Sequence, residues 1–178
     1  MLSACHTKTS TTDNPLLTES TLDFYAPPFD KILPEHFMPA IKQGIAEQQA
    51  EIDSIIRNPE TPTFANTILA YEKSGRLLTR ASTLLSVLTS ANGTDELRKV
   101  EEEATPLLSA HHDALLLNEK LFARVKAVYD ADTLLTGEDQ RLTEVLYREF
   151  VHAGALLSAE SRDSLSKING ELSVLETK

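Results

Sequence analysis

The sequence predicts an all-α fold, on three observations. Apolar residues recur at intervals of three and four along most of the chain, the spacing that lines one face of a helix. Glycine is scarce, at 6 of 178 residues, and Leu, Ala, Glu and Ser are abundant. No segment alternates apolar with polar as a half-buried strand would. The expected arrangement is antiparallel helical hairpins forming a bundle of about six helices, entered by an extended N-terminal segment.

Residues 1–21 read as a disordered, tether-like tail, because nine of them are Ser or Thr and no core pattern appears. Residues 22–178 read as one helical domain. It opens on an extended stretch, Leu22 to Leu33, carrying Pro27 and Pro28. The first helix is expected from Pro34 to Arg57, with Pro at its first position and Phe37, Ile41, Ile45, Ile52 and Ile55 on one face. Asn58-Pro59 stops it, since Asn tolerates a left-handed end and Pro cannot continue a helix. Pro62 holds Thr61 out of the helical region, and Thr63 caps a second helix expected to run to about Ser90. Its stripe is Phe64, Ile68, Tyr71, Gly75, Leu78, Ser82 and Leu85. Gly75 is either a break in this helix or a close contact with a neighbour, and its place on the stripe favours the contact.

Asn92-Gly93 ends that element, and Thr94 caps a third helix with Leu97, Val100, Ala104, His111 and Leu115 on its face. Pro106 lies inside it and is expected to kink it. Asn118 caps a fourth helix carrying Leu121, Phe122, Val125 and Val128. After Gly137 a fifth runs from about Glu138 to Leu156, with Leu142, Leu146 and Phe150 inward. Ser158 caps a sixth, with Leu165, Ile168, Leu172 and Leu175 at 3-4-3 spacing.

Several of these joints share an unusual wording. Asn58-Pro59, Pro62-Thr63-Phe64-Ala65-Asn66-Thr67 and Glu72-Lys73-Ser74-Gly75 occur in this order. So do Pro34-Glu35-His36-Phe37 upstream, and Ser109-Ala110-His111-His112-Asp113, Tyr147-Arg148-Glu149-Phe150 and Asn169-Gly170-Glu171-Leu172 downstream. The series resembles the N-terminal region of the thimet oligopeptidase and peptidyl-dipeptidase family of zinc metallopeptidases, closest to the bacterial peptidyl-dipeptidase branch. It covers about Asn14 to Leu175.

The resemblance implies a two-lobed, mostly helical enzyme with a deep channel between the lobes. This region would supply part of the channel wall, admitting short peptides and excluding folded proteins. Its partners would be the catalytic domain of the same polypeptide and short peptides. Zinc would belong to the full-length enzyme, bound by His-Glu-x-x-His. None of His6, His36, His111, His112 or His152 is followed by Glu, and no two lie four apart. No catalytic, cofactor or metal residue is therefore assigned, and the chain alone is expected to be inactive. The resemblance also implies that the sixth helix continues into the catalytic lobe, so that its distal turns lack neighbours here. The rival reading is a free-standing helical module that binds a partner or peptide without turnover.

Other clusters carry less. Glu149-Phe150-Val151-His152 is half of a di-iron motif, with no second Glu-x-x-His to complete it. His111 and His112 point about 100° apart on a helix, so they do not readily share one ion. His111 reads as a hydrogen-bonded core residue and His112 as its edge neighbour. Glu101-Glu102-Glu103 reads as a solvated face, and a site for a peptide's terminal amine there has only the charge run behind it.

Acidic residues number 27 against 17 basic, a net charge of −10, which opposes non-specific nucleic-acid binding. A single cysteine excludes an internal disulfide. Leu2-Ser3-Ala4-Cys5 matches a bacterial lipobox, so lipidation at Cys5 would tether the protein at the cell envelope. The alternative is a chance match of four residues and a cytoplasmic protein, because the charged and apolar regions of a signal do not precede it.

Overall fold

A computed structural model describes residues 14–131 and 135–176 of the chain. Among these residues it holds helices and turns and no strand. Pro34–His36 forms a 3-10 turn that leads into α1, Phe37–Arg57. The joint that follows carries a π-helical turn, Phe64–Ile68, and the short α2, Leu69–Glu72. Then come α3 (Arg76–Asn92), α4 (Asp95–Leu116), α5 (Glu119–Asp130), α6 (Gly137–His152) and α7 (Ala159–Glu176).

Two apolar cores share the two long helices. The first half of α1 packs Phe37 and Ile41 with Leu78, Leu84 and Leu85 of α3 and Leu97 of α4. The second half packs Ile52 and Ile55 with Leu116 of α4, Leu121 and Val125 of α5, and Leu146 and Phe150 of α6. A run of rings thickens the second core. Phe122 lies 5.9 Å from Phe150 and 5.8 Å from Tyr147, which stacks on Tyr129 at 4.0 Å. α1 and α3 approach closely at Gly44, where a Cβ would stand 2.7 Å from the Leu78 backbone nitrogen. Only glycine admits that crossing.

Three expectations need correction. The second helix is not continuous to Ser90, because Gly75 adopts φ +69° and divides α2 from α3. The break reading of Gly75 therefore holds together with the close contact, since the side chain of Gln48 fills the space a Cβ would need. The fifth helix ends at His152 rather than Leu156. Gly154, at φ +102°, closes it, with the Ala155 N–H donating to Phe150 O at 2.9 Å and the Gly154 N–H to Val151 O at 3.1 Å.

The third correction concerns the tail. Asn14 to Thr21 pack against the domain: Leu16 is buried, Asn14 Nδ2 donates to His36 O at 2.8 Å, and Arg80 Nη2 donates to Leu16 O at 2.9 Å. Cys5 and His6 lie outside the described residues. α4 also passes through Pro106 as one uninterrupted helix, so the proline removes a donor without ending the element.

Candidate functional site

The stretch with the most unusual wording is a polar joint. Thr63 Oγ1 accepts from the Asn66 N–H at 3.2 Å, and Asn66 Oδ1 accepts from the Thr63 N–H at 2.8 Å, a reciprocal cap. Asn66 Nδ2 reaches back to Thr61 O at 3.0 Å. Arg124 on α5 then clamps the whole joint. Its Nη1 donates to Asn58 O at 2.9 Å and its Nη2 to Asn66 Oδ1 at 3.2 Å. The joint thus binds α1, the π turn and α5 together.

The second signature, at Ser74-Gly75, meets α1 and α4. Gln48 Nε2 donates to Ser74 Oγ at 3.2 Å, and Ser74 Oγ donates to Tyr71 O at 2.7 Å. That leaves Gln48 Oε1 as an acceptor, 2.8 Å from His111 Nε2, so the imidazole proton sits on Nε2. The Gly75 N–H donates to Glu51 Oε2 at 2.7 Å, placing a carboxylate at the N-terminus of α3, where the helix dipole favours it. His111 is the hydrogen-bonded, buried histidine expected from the sequence. Burial, and secondly the neighbouring His112, push its pKa down.

A groove of about 620 Å³ opens beside this cluster, between α3, α4 and α7. His111 and Asp113 come into it from α4, Gln48 from α1, and Asn169 and Leu172 from α7. Asp113 is only 8 % exposed, and both of its oxygens accept from Asn169 Nδ2, at 2.9 and 3.2 Å.

The other candidates lie apart. His36 is buried in the turn before α1, where its Nδ1 accepts from the Leu33 N–H at 3.1 Å. Glu149 and His152 are exposed on α6, and Glu102 and Glu103 are exposed on α4. Among the described residues no three His, Cys, Asp or Glu side chains come together as a metal site. The described residues do not fit a zinc ion.

Sequence reasoning missed Gly44 and Gln48 and gave Asp113, Arg124 and Asn169 no role, although Asp113 and Asn169 stand in the segments quoted for the family resemblance. Gly44 and Gln48 carried a faint signal, as one small and one polar residue in line with the apolar face of α1. The other three are polar residues on amphipathic helices, and periodicity does not single these out.

The chain is 42% identical over 167 residues to the dipeptidyl carboxypeptidase of Escherichia coli, covering 93% of this chain and 24% of that protein. It is 39% identical over 164 residues to the dipeptidyl carboxypeptidase of Salmonella typhimurium, with 91% and 24% covered. It is 30% identical over 165 residues to the oligopeptidase A of Escherichia coli, again with 91% and 24% covered. The chain matches proteins of the dipeptidyl carboxypeptidase and oligopeptidase A family. Within that family it corresponds to the N-terminal region, about a quarter of the length of the relatives it matches. No protein-family model matches the chain.

Proposed function

We propose that this chain is the N-terminal, non-catalytic helical region of a zinc-dependent oligopeptidase of the peptidyl-dipeptidase type. In this reading it forms part of the wall of the substrate channel. The observation that carries it is the 42% identity, held across 93% of the chain, to a dipeptidyl carboxypeptidase four times as long. The groove between α3, α4 and α7 supports it, because it combines fixed polar groups with the apolar Leu108 and Leu172, as a surface for short peptides requires. The zinc and its ligands would come from the catalytic part of the same polypeptide, together with the water and base that attack the scissile bond.

A graft tests this. The chain replaces the matching quarter of the Escherichia coli dipeptidyl carboxypeptidase. The expected outcome is a folded enzyme that hydrolyses short peptides and leaves folded proteins intact, while the isolated chain neither hydrolyses them nor binds zinc stoichiometrically. A folded, zinc-loaded graft without hydrolysis would sink the reading. The same proposal places the protein at the cell envelope through a lipid on Cys5. An intact mass of the natural protein without the acyl chains would remove that part and leave a cytoplasmic protein.

A further inference from the structure

We propose that the groove between α3, α4 and α7 holds the primary ammonium group of a short peptide, with Asp113 as its counter-charge. This rests on the peptide-contacting role proposed above and specifies it.

The argument starts from an imbalance of charge. Asp113 is nine-tenths buried, and its oxygens share one donor nitrogen, that of Asn169. An ionised carboxylate offers about four acceptor sites, and two N–H bonds from one amide occupy one edge only. Among the described residues Asp113 has no ion-pair partner, no Lys or Arg lines the groove, and Asp113 is its only carboxylate. A buried charge without an opposite charge is costly, and proteins seldom retain one without a partner.

His111 does not serve as that partner. Its Nε2–H is spent on Gln48 Oε1, and burial favours its neutral form. A cation from outside the chain would fill the gap through a charge-assisted hydrogen bond.

The geometry prefers one kind of cation. A guanidinium binds a carboxylate by a two-point fork. Here Asn169 already bonds both oxygens, at 2.9 and 3.2 Å, so a flat fork meets an occupied edge. An ammonium is compact, with three donors that diverge. One can take an Asp113 lone pair while another turns towards the Ser109 hydroxyl, one helical turn earlier on the same face of α4. Leu108 and Leu172 offer apolar cover for the adjoining side chain.

The test uses the full 178-residue chain and three probes in titration calorimetry. They are tetra-alanine amide with a free amine, its N-acetylated form, and the N-acetylated form with one alanine replaced by lysine. The free amine should bind at least about tenfold more tightly than the acetylated alanine peptide, the factor expected for one charge-assisted contact. Recovery of binding in the lysine peptide assigns the site to a side-chain ammonium, and no recovery assigns it to the terminal amine. Both results support the proposal.

In Asp113→Asn, which keeps the shape and the link to α7, the preference for the free amine should vanish. Equal binding of free and acetylated alanine peptides overturns the ammonium site while leaving a peptide groove. Binding of none of the three overturns the peptide-contacting role itself. A folded Asp113→Asn chain that keeps the preference overturns the assignment to Asp113. The comparison of peptides on the unaltered chain decides even if that variant does not fold.

Discussion

At the scale of single residues, Gly75 and Gln48 form one device. Gly75 is required twice, by its φ of +69° and by the Gln48 amide that stands 2.4 Å from where a Cβ would be. A left-handed conformation costs a residue with a Cβ about 1–2 kcal/mol. Displacing Gln48 would also strain its bonds to Ser74 and His111, each worth about 1 kcal/mol. Gly75→Ala should therefore lower stability by about 2–3 kcal/mol in denaturant titration. In a Gln48→Ala background the clash is gone, and the further loss should shrink to the conformational part alone. Full additivity of the two changes would show that Gln48 is no wedge.

His111 adds a pH dependence to the same cluster. Burial and the adjacent His112 hold its pKa below the ordinary 6.5. The unfolded chain therefore takes up a proton that the folded chain refuses. The stabilising contribution is complete above the unfolded value, and it declines as pH falls through 6.5 towards the lower folded value. Between about pH 7.5 and about pH 5.5 the Tm of the natural chain should fall further than that of His111→Gln. Parallel curves would mean that His111 keeps its ordinary value.

The helices show where sequence was readable. Positions with strong periodicity came out in place: α1 ends at Arg57 as expected, though a 3-10 turn occupies its first three positions, and α4 and α5 begin directly after their caps Thr94 and Asn118. The expected cap at Ser158 is present too, accepting from the Ser161 N–H at 3.2 Å. The break at Gly75 was harder to read, because the apolar stripe runs on across it from Tyr71 to Leu78. Periodicity reports which face is buried and not whether the backbone is continuous. The groove was hidden for another reason. Gln48, Asp113 and Asn169 are far apart in the chain, and only tertiary packing unites them.

Arg124 is the element-scale case. It ties α5 to the Asn58–Asn66 joint through a planar fork, which lysine does not reproduce. Arg124→Lys and Arg124→Met should each cost about 2 kcal/mol, with little difference between them. Restoration of full stability by lysine would reduce the clamp to a matter of charge.

Across the whole molecule, the apolar surface is distributed unevenly. The two cores are closed by α1, α3, α4, α5 and α6, and α7 contributes to neither. It rests on α4 through Asn169 and on α5 through an Arg162–Glu119 ion pair, with Ser173 its buried residue. Three of the four residues of the stripe legible in its sequence are exposed, Ile168 at 60 %, Leu172 at 49 % on the rim of the groove and Leu175 at 66 %, while Leu165 is half-buried. Each such residue would contribute about 1.5–3 kcal/mol if it were fully covered.

Ile168→Gln and Leu175→Gln should leave stability within about 0.5 kcal/mol, because neither side chain is packed. Amides from Ile168 to Leu175 should exchange faster than those of α1, since local opening there exposes little new apolar surface. Sedimentation across a concentration series gives the third reading: any self-association of the natural chain should weaken in the double variant. In the grafted enzyme the same pair should reduce hydrolysis, because there the stripe would be covered by the catalytic part. Slow exchange of α7 in a strict monomer, together with a graft indifferent to both changes, would show that the helix is already satisfied. The chain would then be a self-sufficient module, and the channel-wall reading would lose its physical basis.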